Sequence, residues 1–309
     1  MDWDSPAIDA VITTALAEDI GPGDASVAAT VAPGARVEAR VVALEEVVCA
    51  GLPLVERIFR RLDADISVEV LMGEGQVVAL DATLVRMNGK VGAILAGDQS
   101  AMNLLSRLSG IATLTREYVE RIAKTGAKIR DTRISTPGMR HLEQYAIRMG
   151  GGTHHRSGLH DAMVLTRAHI AEAGGIKAAL DQAHSHASRM MTAAELTAYE
   201  ATMPPDKEPS SLPIQIEIKN EAELREALSC GAESILLTEL TVREVGELAG
   251  VARSLRGECV VELSGDIPLE DALAYAQAGV DFLSPRELTA GARWARMQLL
   301  VGGRREKVS

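Results

Sequence analysis

From about residue 128 onward, short apolar runs alternate with helical patterns, joined by connections of a few residues. No other feature constrains the chain as strongly, because successive parallel strands require a crossover between them, usually a helix. Candidate strands lie at 128–132, 162–166, 214–219, 234–238, 259–264 and 281–284, with helical patterns at 221–230, 242–255 and 269–277 between the later ones. Gly231, Gly257 and Gly279 stand where those helices would end, as helix C-termini prefer. The expected fold class is α/β, an open α/β barrel of βα units. Composition agrees: with 47% hydrophobic but only 3% aromatic residues, the core must be built from Ala, Val, Leu, Ile and Met, which suits strands covered by helices.

A chain of 309 residues exceeds the size at which one core stops growing, so a second domain is expected. Residues 7–18 are patterned as an amphipathic helix. The stretch 36–95 alternates in β fashion through VEARVVALEEVV, ISVEVLM, VVALDATLVRM and AILA, split by Gly-containing turns. These segments predict an N-terminal α+β sandwich domain. A long helix over 99–125, with Met102, Leu105, Leu108, Ile111 and Leu114 at three-residue spacing, would link it to the barrel. Residues 286–301, rich in Arg and Leu, predict a terminal helix that folds back. The expected boundaries are 1–115, 116–288 and 289–309. The polar stretch 187–212, with Pro204, Pro205 and Pro209, reads as a surface insertion with helical character at 193–199.

Charge and cysteine usage exclude several classes. Lys and Arg number 32 against 43 Asp and Glu, and a net charge of -11 disfavours nucleic acid as a partner. Cys49, Cys230 and Cys259 are odd in number and unpaired in spacing, so neither a disulfide framework nor a zinc site is indicated, and each is expected as a small buried hydrophobe. The first twenty residues are acidic and amphipathic, and no apolar run reaches the length of a membrane span. The expectation is a cytoplasmic protein with no membrane partner.

Against this acidic background, Arg130, Arg133, Arg140, Arg148, Arg156 and Arg167 crowd into 128–169 together with His141, His154, His155, His160 and His169. Guanidinium forks suit carboxylates and phosphates, so small anionic substrates are the expected ligands. In a barrel, functional residues belong at C-terminal strand ends. Arg133 follows one such end. Thr136-Pro137-Gly138 forms a turn that could open a helix with its N–H groups toward an anion. Gly150, Gly151 and Gly152 would let backbone approach a ligand before His154-His155-Arg156. Ser264-Gly265-Asp266 could hold a phosphate, and Glu217, alternating with Ile216 and Ile218, would face the barrel interior. There it needs an arginine, a ribose hydroxyl or Mg²⁺. Bland roles stay open: Arg133 and Arg156 could pair with Asp131 and Asp161, and His155 could make a structural hydrogen bond. His184 and His186, two apart on a helix, point away from each other and are not read as metal ligands. No protein-built metal site is expected.

Taken together, DTRISTPGMRHLEQYAIRMGGGTHHRSGLHDA at 131–162, EDIGPGD at 18–24, LSRLSGIAT at 105–113, IEIKN at 216–220 and LSGDI at 263–267 resemble the quinolinate phosphoribosyltransferase family. The resemblance spans nearly the whole chain. It implies an N-terminal sandwich domain, an open α/β barrel and a homodimer with active sites against the partner subunit. It also implies a reaction in NAD biosynthesis: quinolinate and phosphoribosyl pyrophosphate (PRPP), with Mg²⁺, give nicotinate mononucleotide, diphosphate and CO₂. By resemblance, Arg133, His155 and Arg156 would grip the acceptor carboxylates. Arg133 and Glu217 would be the catalytic pair, Glu217 engaging ribose or metal, and Ser264 and Gly265 would lie near the 5'-phosphate.

The chain departs from the family pattern at several substrate-binding positions. Ile134 and Thr166 stand where the family has lysines, Gln99 where it has a partner-contributed arginine, and Thr238 where it has an aspartate. Asp266 and Arg286 replace glycines of the phosphate site. These changes keep two other readings in view: a diverged paralogue with another acceptor or donor, and a catalytically silent dimeric binding protein.

Overall fold

The computed structural model describes residues 1–187 and 212–302. They form two compact units, one from Met1–Glu117, Ile134–Gly152 and the residues from Leu288 on, the other from Tyr118–Arg133 and Thr153–Glu287. The segment 134–152, which the sequence placed within the barrel, groups with the first unit. The predicted insertion at 187–212, with its helix at 193–199, lies outside the described residues.

In the first unit, the strands β1 (Arg36–Ala43), β3 (Ser67–Val70) and β5 (Thr83–Lys90) pair antiparallel in the order β1-β5-β3, and β2 (Val47–Val48) pairs with β4 (Val77–Val78). Ala39, Val41, Ala43, Val85 and Met87 are buried on the sheet, and the helix Pro6–Ile20 buries Ile8, Ile12 and Leu16 at helical spacing. Within 36–95, one helix that the β patterns left unassigned and one departure from them have clear causes. LPLVERIFRRL is the helix Leu52–Leu62, opened by Gly51 at φ 98° and by the Glu74 carboxylate, which accepts from Gly51 N (2.8 Å) and Leu52 N (2.7 Å). AILA belongs to the long helix, which runs Val91–Ile122 rather than 99–125 and buries Met102, Leu105, Leu108 and Ile111.

Gly110 sits inside that helix because nothing larger fits: a Cβ there would lie 2.0 Å from the Arg293 carbonyl oxygen. Gly to Ala in an open helix normally stabilises by about 1 kcal/mol. Gly110→Ala is expected to destabilise by about 2–3 kcal/mol instead, through overpacking against backbone, and a urea unfolding midpoint below that of the parent checks the sign.

The second unit is the barrel. β6 (Lys128–Ile129), β7 (Met163–Leu165), β8 (Ile214–Ile218), β9 (Ser234–Thr238), β10 (Val260–Gly265) and β11 (Phe282–Pro285) form a parallel six-stranded sheet in the order β6-β11-β10-β9-β8-β7. Every strand coincides with a predicted one to within a few residues. The helices Glu221–Ser229 and Val242–Leu255 fall where expected, and the third, Ala272–Gln277, is shorter than predicted. Ile216, Ile218, Ile235, Leu237, Val261 and Leu263 are buried on one sheet face. The alternating positions carry Gln215, Glu217, Ser234, Thr238, Glu262, Ser264 and Ser284, matched across strands by the register Gln215 with Ser234 and Ser264 with both Thr238 and Ser284. A parallel sheet is usually apolar on both faces. A polar inner face is therefore a local departure of the kind that accompanies function.

The terminal helix over 286–301 is not formed. Only Glu287–Ala290 is helical, and β12 (Met297–Val301) instead pairs antiparallel with β1, Val41 opposite Leu299. The edge of β1 offers unpaired backbone groups that a strand satisfies and a helix cannot. Cys49 and Cys259 are buried and Cys230 half-buried, all three free, and burial pushes the Cys49 thiol up to about 12. No helix among the described residues is long and apolar enough to cross a membrane.

Candidate active site

The barrel brings most of the predicted residues together on its inner face and at the C-terminal strand ends. Arg133 ends the segment after β6, and His155 and Arg156 lie in the connection before β7. The backbone N–H of His155 donates to Asp131 Oδ1 (2.5 Å), and its imidazole Nε2 lies 4.0 Å from Glu262 Oε2. Burial, the largest influence, holds its imidazole below the ordinary value, with Arg130 and Arg156 adding to that and Glu262 and Asp161 opposing it. Arg156 donates from Nη1 to the Ala162 carbonyl (2.8 Å). Its pKa is lowered first by burial and then by the neighbouring Arg133, against the pull of Asp161. Asp161 folds the loop by accepting from Ser157 N (2.6 Å) and Gly158 N (3.1 Å). The Arg133 Nε is buried and has no hydrogen-bond partner among the described residues.

Glu217 stands across the sheet. Its Oε1 accepts from Thr238 Oγ1 (3.0 Å) and its Oε2 from the Arg167 N–H (3.0 Å), so a threonine and a backbone amide orient it rather than a cation. At the end of β10, Ser264 Oγ donates to the Ser284 carbonyl (3.4 Å), and Gly265 at φ 146° accepts from the Arg286 N–H (3.0 Å). Asp266 does not simply oppose an anion here: Arg286 Nε lies 3.5 Å from its Oδ1, so the two replacements in this loop neutralise each other. Both are exposed, and their pairing adds little stability.

Other predicted residues serve the fold. The Thr166 hydroxyl lies 2.7 Å from His169 Nδ1 at the start of the helix Arg167–Ala173. Arg167 follows the end of its strand, yet its guanidinium is bound in two places by Glu223 (2.7 and 3.0 Å), so it does not replace the lysine missing at 166. In the first unit, Thr136 donates from both N–H (2.9 Å) and Oγ1 (2.8 Å) to Glu143, which removes those donors from any anion. Gln99 is exposed and donates to Asn103 (2.7 Å). Gly150 and Gly152 are small for packing rather than for ligand approach: a Cβ on either would fall within 2.5 and 2.7 Å of atoms of Ala112, Thr115 or Ile147. Of the three, Gly151 alone takes positive φ, 95°.

Sequence reasoning passed over Glu262, which is 3% exposed and accepts from Arg130 Nη1 (2.8 Å), Gln215 Nε2 (2.9 Å) and Ser284 Oγ (2.6 Å). Its signal was a single acid in the apolar run CVVELSG, the same kind of signal that drew attention to Glu217. Burial alone would raise its pKa. Arg130, His155, Ser284 and Gln215 outweigh that, and the carboxyl is held below its ordinary value. Arg130 itself rests on the Phe282 ring, 3.2 Å from its centre.

Two family models cover this chain almost end to end. The quinolinate phosphoribosyl transferase N-terminal domain matches residues 24–109, and the C-terminal domain matches 111–203 and 200–300. The chain belongs to the quinolinate phosphoribosyltransferase family. Within that family it is 36% identical over 288 residues to a probable carboxylating nicotinate-nucleotide pyrophosphorylase of Synechocystis sp., covering 93% of this chain and 90% of the relative. The corresponding protein of Bacillus subtilis is 34% identical over 88% of this chain and 86% of its own length. Among solved structures, the nicotinate-nucleotide pyrophosphorylase of Francisella tularensis aligns with a TM-score of 0.83 at 29% identity, over 96% of this chain and 98% of that one. The enzyme from Ehrlichia chaffeensis aligns at 0.82 and 26%, over 95% and 98%.

Proposed function

We propose that this family member is a carboxylating nicotinate-nucleotide pyrophosphorylase, joining the ring nitrogen of quinolinate to the phosphoribosyl group of PRPP with release of diphosphate and CO₂. The observation that carries the reading is the pair Arg133, whose buried Nε has no hydrogen-bond partner among the described residues, and Arg156, anchored on the Ala162 carbonyl (2.8 Å), with the charge of Arg133 adding to burial in lowering the pKa of Arg156. Like charges in a partly desolvated place repel, and a dianionic acceptor turns that repulsion into binding. Relatives at 36% identity along 93% of the chain support this activity over a paralogue or a silent dimer.

In this reading Arg133, Arg156 and His155 hold the acceptor carboxylates and orient the ring nitrogen toward the anomeric carbon. Positive charge grows at that carbon as diphosphate leaves, and the Glu217 carboxylate, fixed by Thr238 and the Arg167 N–H, stabilises it. Loss of CO₂ then leaves the electron pair of the broken C–C bond on the ring carbon beside the new pyridinium nitrogen, whose charge stabilises it, and a proton from solvent takes the place of CO₂, so no protein nucleophile is needed.

Among the described residues no group of three or more His, Cys, Asp or Glu could cage a metal. The donor set fits Mg²⁺ in another way, since that ion is commonly held by one or two carboxylates with substrate phosphates. Glu217 would be the carboxylate, because each of its oxygens carries one hydrogen bond and keeps further accepting capacity. Bound Mg²⁺ would neutralise diphosphate charge. The reading also includes a cytoplasmic homodimer, in which the partner subunit closes the site.

The test is incubation of the purified protein with quinolinate, PRPP and Mg²⁺. Nicotinate mononucleotide and CO₂ in equal amounts are expected, and absence of both would overturn the reading. Acceptor binding should also depend on pH. The imidazole of His155, held low by burial, is neutral in the free site near neutrality, and a bound dianion favours its protonated form. Quinolinate affinity is therefore expected to rise as pH falls from about 8 to about 6, with proton uptake on binding, seen by calorimetry in buffers of different ionisation enthalpy.

A further inference from the structure

Glu262 carries more than the barrel needs for stability. Its Oε2 receives Arg130 Nη1 (2.8 Å) and Gln215 Nε2 (2.9 Å) and faces His155 Nε2 (4.0 Å), while its Oε1 receives Ser284 Oγ (2.6 Å). These partners come from β8, β11, the end of β6 and the connection before β7. A buried ion pair is seldom more stable than apolar packing of the same volume, so stability is a weak reason for an acid at mid-strand. At 3% exposure, the carboxylate is shielded from substrate. Its influence must pass through the groups it holds.

We propose that Glu262 is a positioning residue, fixing the Arg130 guanidinium and facing the His155 imidazole on the inner face of the barrel, so that an acceptor carboxylate meets a guanidinium already in place and an imidazole set to take up a proton as it binds. The proposal rests on the functional reading above and deepens it. Arg130 is clamped between Glu262 and the Phe282 ring, while the backbone N–H of His155 is tied to the Asp131 carboxylate and its imidazole Nε2 faces Glu262. An acceptor that meets preset groups avoids ordering them on binding. The charged groups around His155 are Glu262, Arg130, Arg156 and Asp161. Of the two acids, Glu262 has the larger influence in raising the imidazole. Without its charge, burial and the two arginines act more strongly.

The deciding variants are Glu262→Gln, which removes the charge at nearly constant shape, and Glu262→Asp, which keeps the charge and retracts it. For Glu262→Gln, KM for quinolinate is expected to rise about tenfold or more, with KM for PRPP within about twofold and kcat changed less than KM. The His155 resonance, assigned by its loss in His155→Asn, should titrate at lower pH than in the parent. Glu262→Asp should restore the His155 titration and part of the quinolinate KM. A folded Glu262→Gln protein with unchanged quinolinate KM and unchanged His155 titration would overturn the proposal, even with a lower melting temperature, and leave Glu262 a structural acid. Should the Gln variant not fold, Glu262→Asp decides by the same KM: a rise supports positioning, and an unchanged value overturns it. Absence of parent turnover would be a failure of the functional reading alone. The His155 titration then decides, a downward shift supporting the positioning role and an unmoved one overturning it.

Discussion

Arg156→Ala is expected to lower kcat/KM for quinolinate about a thousandfold, equivalent to about 4 kcal/mol of transition-state stabilisation. The guanidinium is partly buried, held by the Ala162 carbonyl, and depressed in pKa by burial and by Arg133. A cation kept charged in such a place interacts strongly with whatever anion relieves it. Stability should fall by no more than about 1 kcal/mol, because the variant also removes the repulsion from Arg133. Arg156→Lys should recover less than about a tenth of the loss, since a point charge cannot offer the planar fork that two carboxylate oxygens need. Separate kcat and KM values, with an unfolding curve for each variant, check all three. A variant that unfolds early yet turns over normally per folded molecule would make Arg156 a loop anchor and remove it from the site.

The cations of this site were legible because they are local. Arg133, His155 and Arg156 lie within 24 residues, and an acidic chain makes such a cluster stand out. The groups that hold them were not. Gln215, Glu262 and Ser284 sit on three different strands, and only the register of the parallel sheet brings the first and last onto the Glu262 carboxylate that faces His155. Sequence spacing carries no such information. Thr166 shows the opposite limit: whether a residue at a strand end faces a substrate or starts a helix turns on one or two residues of strand length.

The barrel itself was readable because its two periods differ and its helices end at glycine. The first unit was harder. AILA and LPLVERIFRRL are apolar enough for either strand or helix, and length and neighbours decide between them. MQLLV at the C-terminus has the same ambiguity, settled only by the open edge of β1, about 260 residues earlier in the chain. The glycines at 150 and 152 point to a related lesson. A glycine run signals close approach but does not say of what, and here the neighbours are Ala112, Thr115 and Ile147.

Glu143→Ala is expected to destabilise the protein by about 3–5 kcal/mol, the range for removing one partner of a buried ion pair. Glu143 is 1% exposed and accepts from Arg107 at Nε (3.1 Å) and Nη2 (2.7 Å) as well as from the Thr136 N–H (2.9 Å) and hydroxyl (2.8 Å). Without it, Arg107 keeps, among the described residues, the carbonyls of Thr289 (2.7 Å) and Ala292 (3.3 Å), which accept hydrogen bonds but do not cancel its charge. Thr136 loses its acceptor at the same time, and with it the turn that follows Arg133 loses its main tie. Thr289 Oγ1 still donates to the Ile134 carbonyl (2.6 Å). A purely stabilising pair and one that shapes the turn are separable. Replacing both partners, Glu143→Leu with Arg107→Met, should restore much of the unfolding free energy, because no charge is left buried alone. It should not restore kcat/KM, because the turn is still untied. Full recovery of turnover in the double variant would show that Glu143 acts on stability alone and that the Thr136 turn needs no acid to hold it.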